Sequence, residues 1–193
     1  TGQYISRQEV EVVLDACGNS LLILDEAYIA FVDDGWSSLD LISSGNLLIV
    51  RSMTKDYALN GLRFGYAIAS QEIIGDLRRV CPPWNVNAVA QKIGAAALDY
   101  TDYLEKTLSR VNRVKKLLID NLVRLGLAVL PSDTNFFLLK VADAGALRAA
   151  LLRRGILVRD GTSFGLPRHI RVAVRRLPDC RRLVKALKEV CCG

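Results

Sequence analysis

The chain has a single histidine, His169. A histidine-based metal site or a Ser-His-Asp triad therefore has almost nothing to work with, which removes many hydrolases and metalloenzymes. The five cysteines (Cys17, Cys81, Cys180, Cys191 and Cys192) show neither metal-ligand spacing nor an even disulfide framework. No stretch approaches the roughly 18 uninterrupted apolar residues of a membrane span. The opening residues Thr1-Gly2-Gln3-Tyr4 lack the basic and apolar regions of a signal peptide. There is no internal repeat and no low-complexity segment. A soluble, cytoplasmic protein is the expectation, with no membrane partner.

What is present is a composition fit for folding. Apolar residues make up 51% of the 193, enough for a sizeable core. The net charge of +6 is unevenly spread: residues 1–60 are rich in acids and residues 140–193 in bases. The bases fall on helix faces and strand ends without interleaved aromatics. That pattern fits solvated faces and a site for an anionic small molecule better than nucleic acid.

Periodicity supplies the architecture. Ser6-Arg7-Gln8-Glu9 fits a capping box that opens a helix, and Gly18 ends it. Leu21-Leu22-Ile23-Leu24, ending in Asp25, and Leu47-Leu48-Ile49-Val50 suit strands buried on both faces of a parallel sheet. Phe64 to Ala69 reads as a third strand. Helices follow at Gln71 to Val80, Asn87 to Tyr100 and about Asp102 to Leu125. Short strands are then expected at Ala128 to Leu130, Phe136 to Val141, Leu157 to Arg159 and Ile170 to Arg175. They surround a helix at Ala144 to Arg154, and Pro178 opens a last helix at its first position. The predicted fold class is α/β, with a mainly parallel sheet in residues 1–110 and a small α+β domain in residues 111–193. Three strands flanked by helices leave a sheet edge open, so the first domain is expected to be incomplete.

Ligands of open parallel sheets bind beyond the carboxyl ends of the strands. Asp25 stands at one such end and Arg51-Ser52-Met53-Thr54-Lys55 at another. Arg63 follows the Asn60-Gly61 turn. Pyridoxal phosphate chemistry needs a lysine amine to form a Schiff base and a carboxylate beside the pyridinium nitrogen. The cofactor phosphate needs cations and hydroxyl donors. Lys55, Asp25, Arg63, Ser52 and Thr54 supply these types. Singly, each has a plainer use: a solvated lysine, a turn-capping aspartate, hydroxyls on local backbone groups or a surface ion pair.

In combination they resemble a family. Asp25-Glu26-Ala27-Tyr28 is similar to the Asp-x-Ala-Tyr segment of class I/II, fold-type I aminotransferases. Ser52-Met53-Thr54-Lys55 and Gly61-Leu62-Arg63-Phe64-Gly65 resemble their lysine motif and downstream Gly-Leu-Arg-x-Gly. The resemblance extends over nearly the whole chain and leans toward the branch holding histidinol-phosphate aminotransferases and threonine-phosphate decarboxylases. It implies that Asp25 meets the pyridine nitrogen, Tyr28 the ring hydroxyl oxygen, and Ser52, Thr54 and Arg63 the phosphate. Lys55 would carry the cofactor and then shuttle the proton. Arg171, in Ile170-Arg171-Val172, would clamp the substrate carboxylate, and Arg159 would help bind a second anionic group.

The resemblance further implies that residues 1–110 are the C-terminal part of a cofactor-binding large domain and residues 111–193 the small domain. The complete enzyme would be a homodimer acting on an amino acid. Thr1-Gly2 resembles the end of an Asn-Pro-x-Asn-Pro-Thr-Gly segment. The ring asparagine, the Gly-rich phosphate turn and the stacking aromatic are accordingly expected to precede this chain. Three readings stand: an aminotransferase for an amino acid, phosphorylated ones included; a decarboxylase of an O-phospho amino acid; and a non-catalytic binding module derived from the enzyme.

Overall fold

In the computed structural model, which describes residues 1–191, the chain divides into two compact units. One spans Ile5–Glu105 and the other joins Thr1–Tyr4 to the stretch from Lys106 onward. The division falls inside one long helix.

The Ile5–Glu105 unit opens on α1 (Arg7–Cys17), with the capping box in place. The Glu9 amide donates to Ser6 Oγ at 3.3 Å and the Ser6 amide donates back to the Glu9 carboxylate at 2.8 Å. The Ser6 hydroxyl, then its amide, hold the Glu9 carboxyl below its ordinary range. A lowered carboxyl stabilises above its unfolded value, so the contribution fades as pH falls through the folded one. Ser6→Ala is expected to lower the stability of this unit by about 1 kcal/mol, read from a urea melt. No change would mean that α1 is held by packing alone.

Strands β1 (Leu22–Asp25) and β2 (Leu47–Ser52) pair in parallel, Asp25 opposite Val50. The third, β3 (Gly65–Ala69), runs antiparallel to β2, so the sheet order is β1-β2-β3. The short return from Ser52 to Gly65 folds back on itself instead of crossing over the sheet, which reverses the strand. Leu47 and Ile49 are fully buried and pack with Leu14, Leu22, Leu24 and Ile68. Burial on both faces holds for β2, whereas β1 alternates and leaves Ile23 60% exposed. Helices α2 (Gln71–Val80) and α3 (Ala88–Ala97) follow, capped by Ser70 and Asn87. The long α4 (Thr101–Arg124) then carries the chain into the second unit.

That unit is an antiparallel sheet of β4 (Phe136–Lys140), β6 (His169–Ala173) and β5 (Arg159–Asp160), in that order. Helices α5 (Ala144–Leu152) and α6 (Leu177–Cys191) accompany it. Phe137, Leu139, Ile170 and Val172 form its core with Leu122, Leu151 and Leu187. Three local expectations change. Residues 128–130 form only a bridge, Val129 to Leu139. Leu157, 71% exposed, precedes the strand instead of joining it. The last helix starts at Leu177, which puts Pro178 second. Gly2 lies in the left-handed region (φ 89°), where an added Cβ would stand 2.5 Å from Ser132 Oγ. Its carbonyl accepts the Asp133 amide at 2.7 Å, docking Thr1–Tyr4 onto this unit.

Candidate functional site

The parallel pairing of β1 and β2 sets their carboxyl ends side by side. Asp25 closes β1, and its Oδ1 accepts the Ala27 amide at 2.9 Å, which aims the following turn. The residue stays exposed. Tyr28 leads into a single 3-10 turn, Ile29–Phe31, with its ring 6.2 Å from that of Phe31.

At the end of β2, Met53 is buried and serves as the foot of the lysine loop. Its amide donates to Phe64 O and its carbonyl accepts the Leu59 amide, both at 3.2 Å. The loop above is thereby closed at its base. Ser52 Oγ lies 2.7 Å from Thr54 Oγ1 and accepts both the Thr54 amide and the Lys55 ammonium at 3.3 Å. Lys55 Nζ also stands 5.5 Å from the centre of the Tyr28 ring, a cation over an aromatic face. Lys55, Ser52, Thr54 and Tyr28 are thus gathered at one place, with Asp25 on the adjoining strand end.

Arg63 is held in its own turn. It adopts φ 54°, and its Nη1 donates to Asn60 O at 2.9 Å. Among the described residues it makes no hydrogen bond to Ser52, Thr54 or Lys55. Its neighbours are secured from α3: Asn87 caps that helix and donates to Leu62 O at 3.4 Å. Gly94 leaves the space occupied by the Phe64 ring, where a Cβ would come within 2.0 Å.

In the second unit Arg159 and Arg171 are cross-strand partners in β5 and β6. Two like charges side by side are unfavourable unless each is otherwise satisfied. Arg171 lies 4.9 Å from the Phe136 ring centre and Arg159 5.2 Å from that of Phe164. Arg159 also donates to Ser163 Oγ at 2.9 Å. Ile170 and Val172 are buried while Arg171 faces the other way. The pair is a preformed cationic face.

Four residues near the lysine, Glu26, Arg51, Ser38 and Asp56, were given no role by the sequence. Glu26 is buried, its Oε2 accepting Arg51 Nε at 2.8 Å and its Oε1 accepting the hydroxyl of the buried Ser38. Strand alternation carries the signal for Glu26, since it must point opposite to Asp25. Ser38 comes from a distant turn and has no such signal. Asp56, beside Lys55, has its carboxyl pushed up by burial, partly offset by the Tyr57 amide. Among the described residues no cluster of three possible metal ligands occurs, and no helix is long and apolar enough to cross a membrane.

Comparison with known proteins gives this geometry its family. The model for "Aminotransferase class I and II" matches residues 1–187. The chain is 35% identical over 196 residues to histidinol-phosphate aminotransferase 2 of Carboxydothermus hydrogenoformans, covering 98% of this chain and 54% of that protein. The solved histidinol-phosphate aminotransferase from Clostridium acetobutylicum superposes with a TM-score of 0.91 at 30% identity, over 98% of this chain and 60% of that one. L-threonine-O-3-phosphate decarboxylase from Porphyromonas gingivalis gives 0.87 at 28% identity, over 100% and 61%. The chain spans about half the length of the curated relatives it matches. By sequence over nearly all its length, and by fold, this chain belongs to the class I and II aminotransferases.

Proposed function

We propose that this chain carries the lysine half of the cofactor site of a pyridoxal-phosphate aminotransferase that acts on an amino acid or phosphorylated amine, in the manner of histidinol-phosphate aminotransferase. The observation that carries the reading is the cluster at the end of β2. There a lysine ammonium, two hydroxyls and an aromatic face converge beside an exposed carboxylate. That donor set fits the cofactor: an amine for its aldehyde, hydroxyl donors for its phosphate and an anion for its ring nitrogen. When bound, the cofactor supplies an electron sink for the bond broken at the substrate Cα.

The remaining work falls to the chain's own residues. Lys55 Nζ would hold the cofactor through its aldehyde and would afterwards move the proton at the substrate Cα. Asp25 keeps the ring nitrogen protonated, because a carboxylate neighbour favours the charged form. Tyr28 orients the ring through its hydroxyl. Ser52 and Thr54 donate to the phosphate, and Arg63 adds charge on leaving its Asn60 carbonyl. Arg171 and Arg159 offer planar guanidinium forks for the anionic groups of the substrate. In this reading residues 1–110 are part of the large domain and residues 111–193 the small one, and the complete enzyme is a cytoplasmic homodimer.

The test is to add pyridoxal phosphate, reduce with borohydride and map the modified peptide by mass spectrometry. Label on Lys55 is expected; label on another lysine with Lys55 clean overturns the assignment. A decarboxylase is the second reading, favoured by the likeness to the Porphyromonas gingivalis enzyme. Release of carbon dioxide from an O-phospho amino acid, with no keto product, would select it. Arg171→Ala is expected to weaken amino-acid substrate binding by about ten- to a hundredfold while cofactor affinity holds, since one charge-assisted contact is lost. Equal loss of both would remove Arg171 from the substrate role.

A further inference from the structure

Behind the lysine cluster, the buried carboxylate of Glu26 accepts from Arg51 and Ser38, neither of them among the residues proposed to meet the cofactor. Glu26 follows Asp25, and its amide donates to Val50 O at 2.8 Å, extending the β1–β2 ladder by one step. Alternation along the strand sends the Asp25 side chain to the open face and the Glu26 side chain to the buried one. Arg51, just before Ser52, also points away from the face Ser52 uses. The two meet there as an ion pair whose side chains are only 6% and 24% exposed. Ser38 closes the remaining carboxylate oxygen. The guanidinium also interacts with Tyr66, its cross-strand partner in β3. Burial works against the Arg51 charge, but Glu26 and Tyr66 outweigh it and hold its pKa above the ordinary value. All three strands are therefore tied together on the face opposite the cluster, at the level of the cluster.

We infer that Glu26 is a positioning residue: by gripping Arg51 and Ser38 it sets the end of β1 against the end of β2, and so the placement of Asp25 relative to Ser52 and Lys55. The inference rests on the reading of those residues as cofactor ligands. A buried ion pair is a poor source of net stability, because desolvation consumes most of its attraction. What it supplies is directional: a carboxylate satisfied by two fixed donors tolerates little sliding of one strand past the other. The amides that report on the site are the Ala27 amide, bonded to Asp25, and the Thr54 amide, bonded to Ser52.

The test compares the wild-type chain with the double variant Glu26→Gln/Arg51→Met. Removing both charges leaves no unpaired buried ion, and Gln can still accept from Ser38, so the fold survives. Glu26→Asp serves as a second variant, keeping the charge but too short to reach both partners. Three quantities are read: the melting temperature, amide hydrogen exchange at Ala27 and Thr54, and the pyridoxal phosphate concentration that gives half-maximal borohydride-trapped label on Lys55. Positioning predicts a melting temperature close to wild type in the double variant. It also predicts exchange at both amides about tenfold faster, and about ten- to a hundredfold more cofactor needed for labelling, the scale of a small misplacement. Glu26→Asp should show the same two changes. Unaltered exchange and labelling in both variants would overturn the inference and leave the pair purely structural. Label on another lysine with Lys55 clean in the wild-type chain would instead strike down the cofactor reading, and the role inferred for Glu26 with it.

Discussion

Lys55→Ala is expected to abolish covalent attachment of pyridoxal phosphate to this chain. Among the described residues, Lys55 is the lysine placed at the carboxyl end of a sheet strand with two hydroxyls and an aromatic ring around it. Lys115, by contrast, already donates to Ser132 O at 2.6 Å. Trapping needs a free amine held where the phosphate and ring are also held, and exposed lysines elsewhere lack that second half. Lys55 itself is exposed, so its removal should change unfolding free energy by no more than about 0.5 kcal/mol. The measurement is intact mass after borohydride reduction, with a thermal melt as control. A variant that folds and still gains one cofactor mass would mean that attachment uses another amine.

Phe137→Ala is expected to cost the second unit about 3–5 kcal/mol, the range for removing a buried phenyl ring. Phe137 has no exposed surface and is the second residue of β4, within the core that includes Leu122, Ile170 and Val172. A small domain has about 5–15 kcal/mol to lose, so the variant should be partly unfolded near body temperature. The consequence reaches Arg171. Phe137 is the cross-strand partner of Val172, and Phe136, next to it, carries the ring that Arg171 covers. Urea unfolding followed by tryptophan-independent circular dichroism would read the loss. A change below about 1 kcal/mol would show that the surrounding side chains collapse into the space.

The elements most legible in the sequence were those with strong local chemistry. The capping box at Ser6 and Glu9 is complete within four residues and needed nothing from elsewhere. The seam of α4 and the alternation that buries Ile170 and Val172 while turning Arg171 outward were equally readable. The direction of β3 was not, because pairing direction depends on how the connection folds. That connection is closed by the Met53, Leu59 and Phe64 backbone bonds. The apolar run in β1 suggested two buried faces, yet hydrophobicity states only what a strand tolerates, and Ile23 is left open.

For the site the division is similar. The sequence by itself determined the family and the chemical types on offer: one lysine, two hydroxyls, a carboxylate, a tyrosine and three arginines at recognisable positions. Their order along the chain is covalent, and a motif read in order needs no third dimension. Only the tertiary structure decided which of them meet. It brought Lys55, Ser52, Thr54 and Tyr28 together, turned Arg63 onto Asn60, and set Arg159 beside Arg171 across a sheet. It also brought Ser38 and Arg51 onto Glu26. Such meetings depend on strand register and on the cost of leaving a buried charge unsatisfied, and both are settled only when distant segments pack.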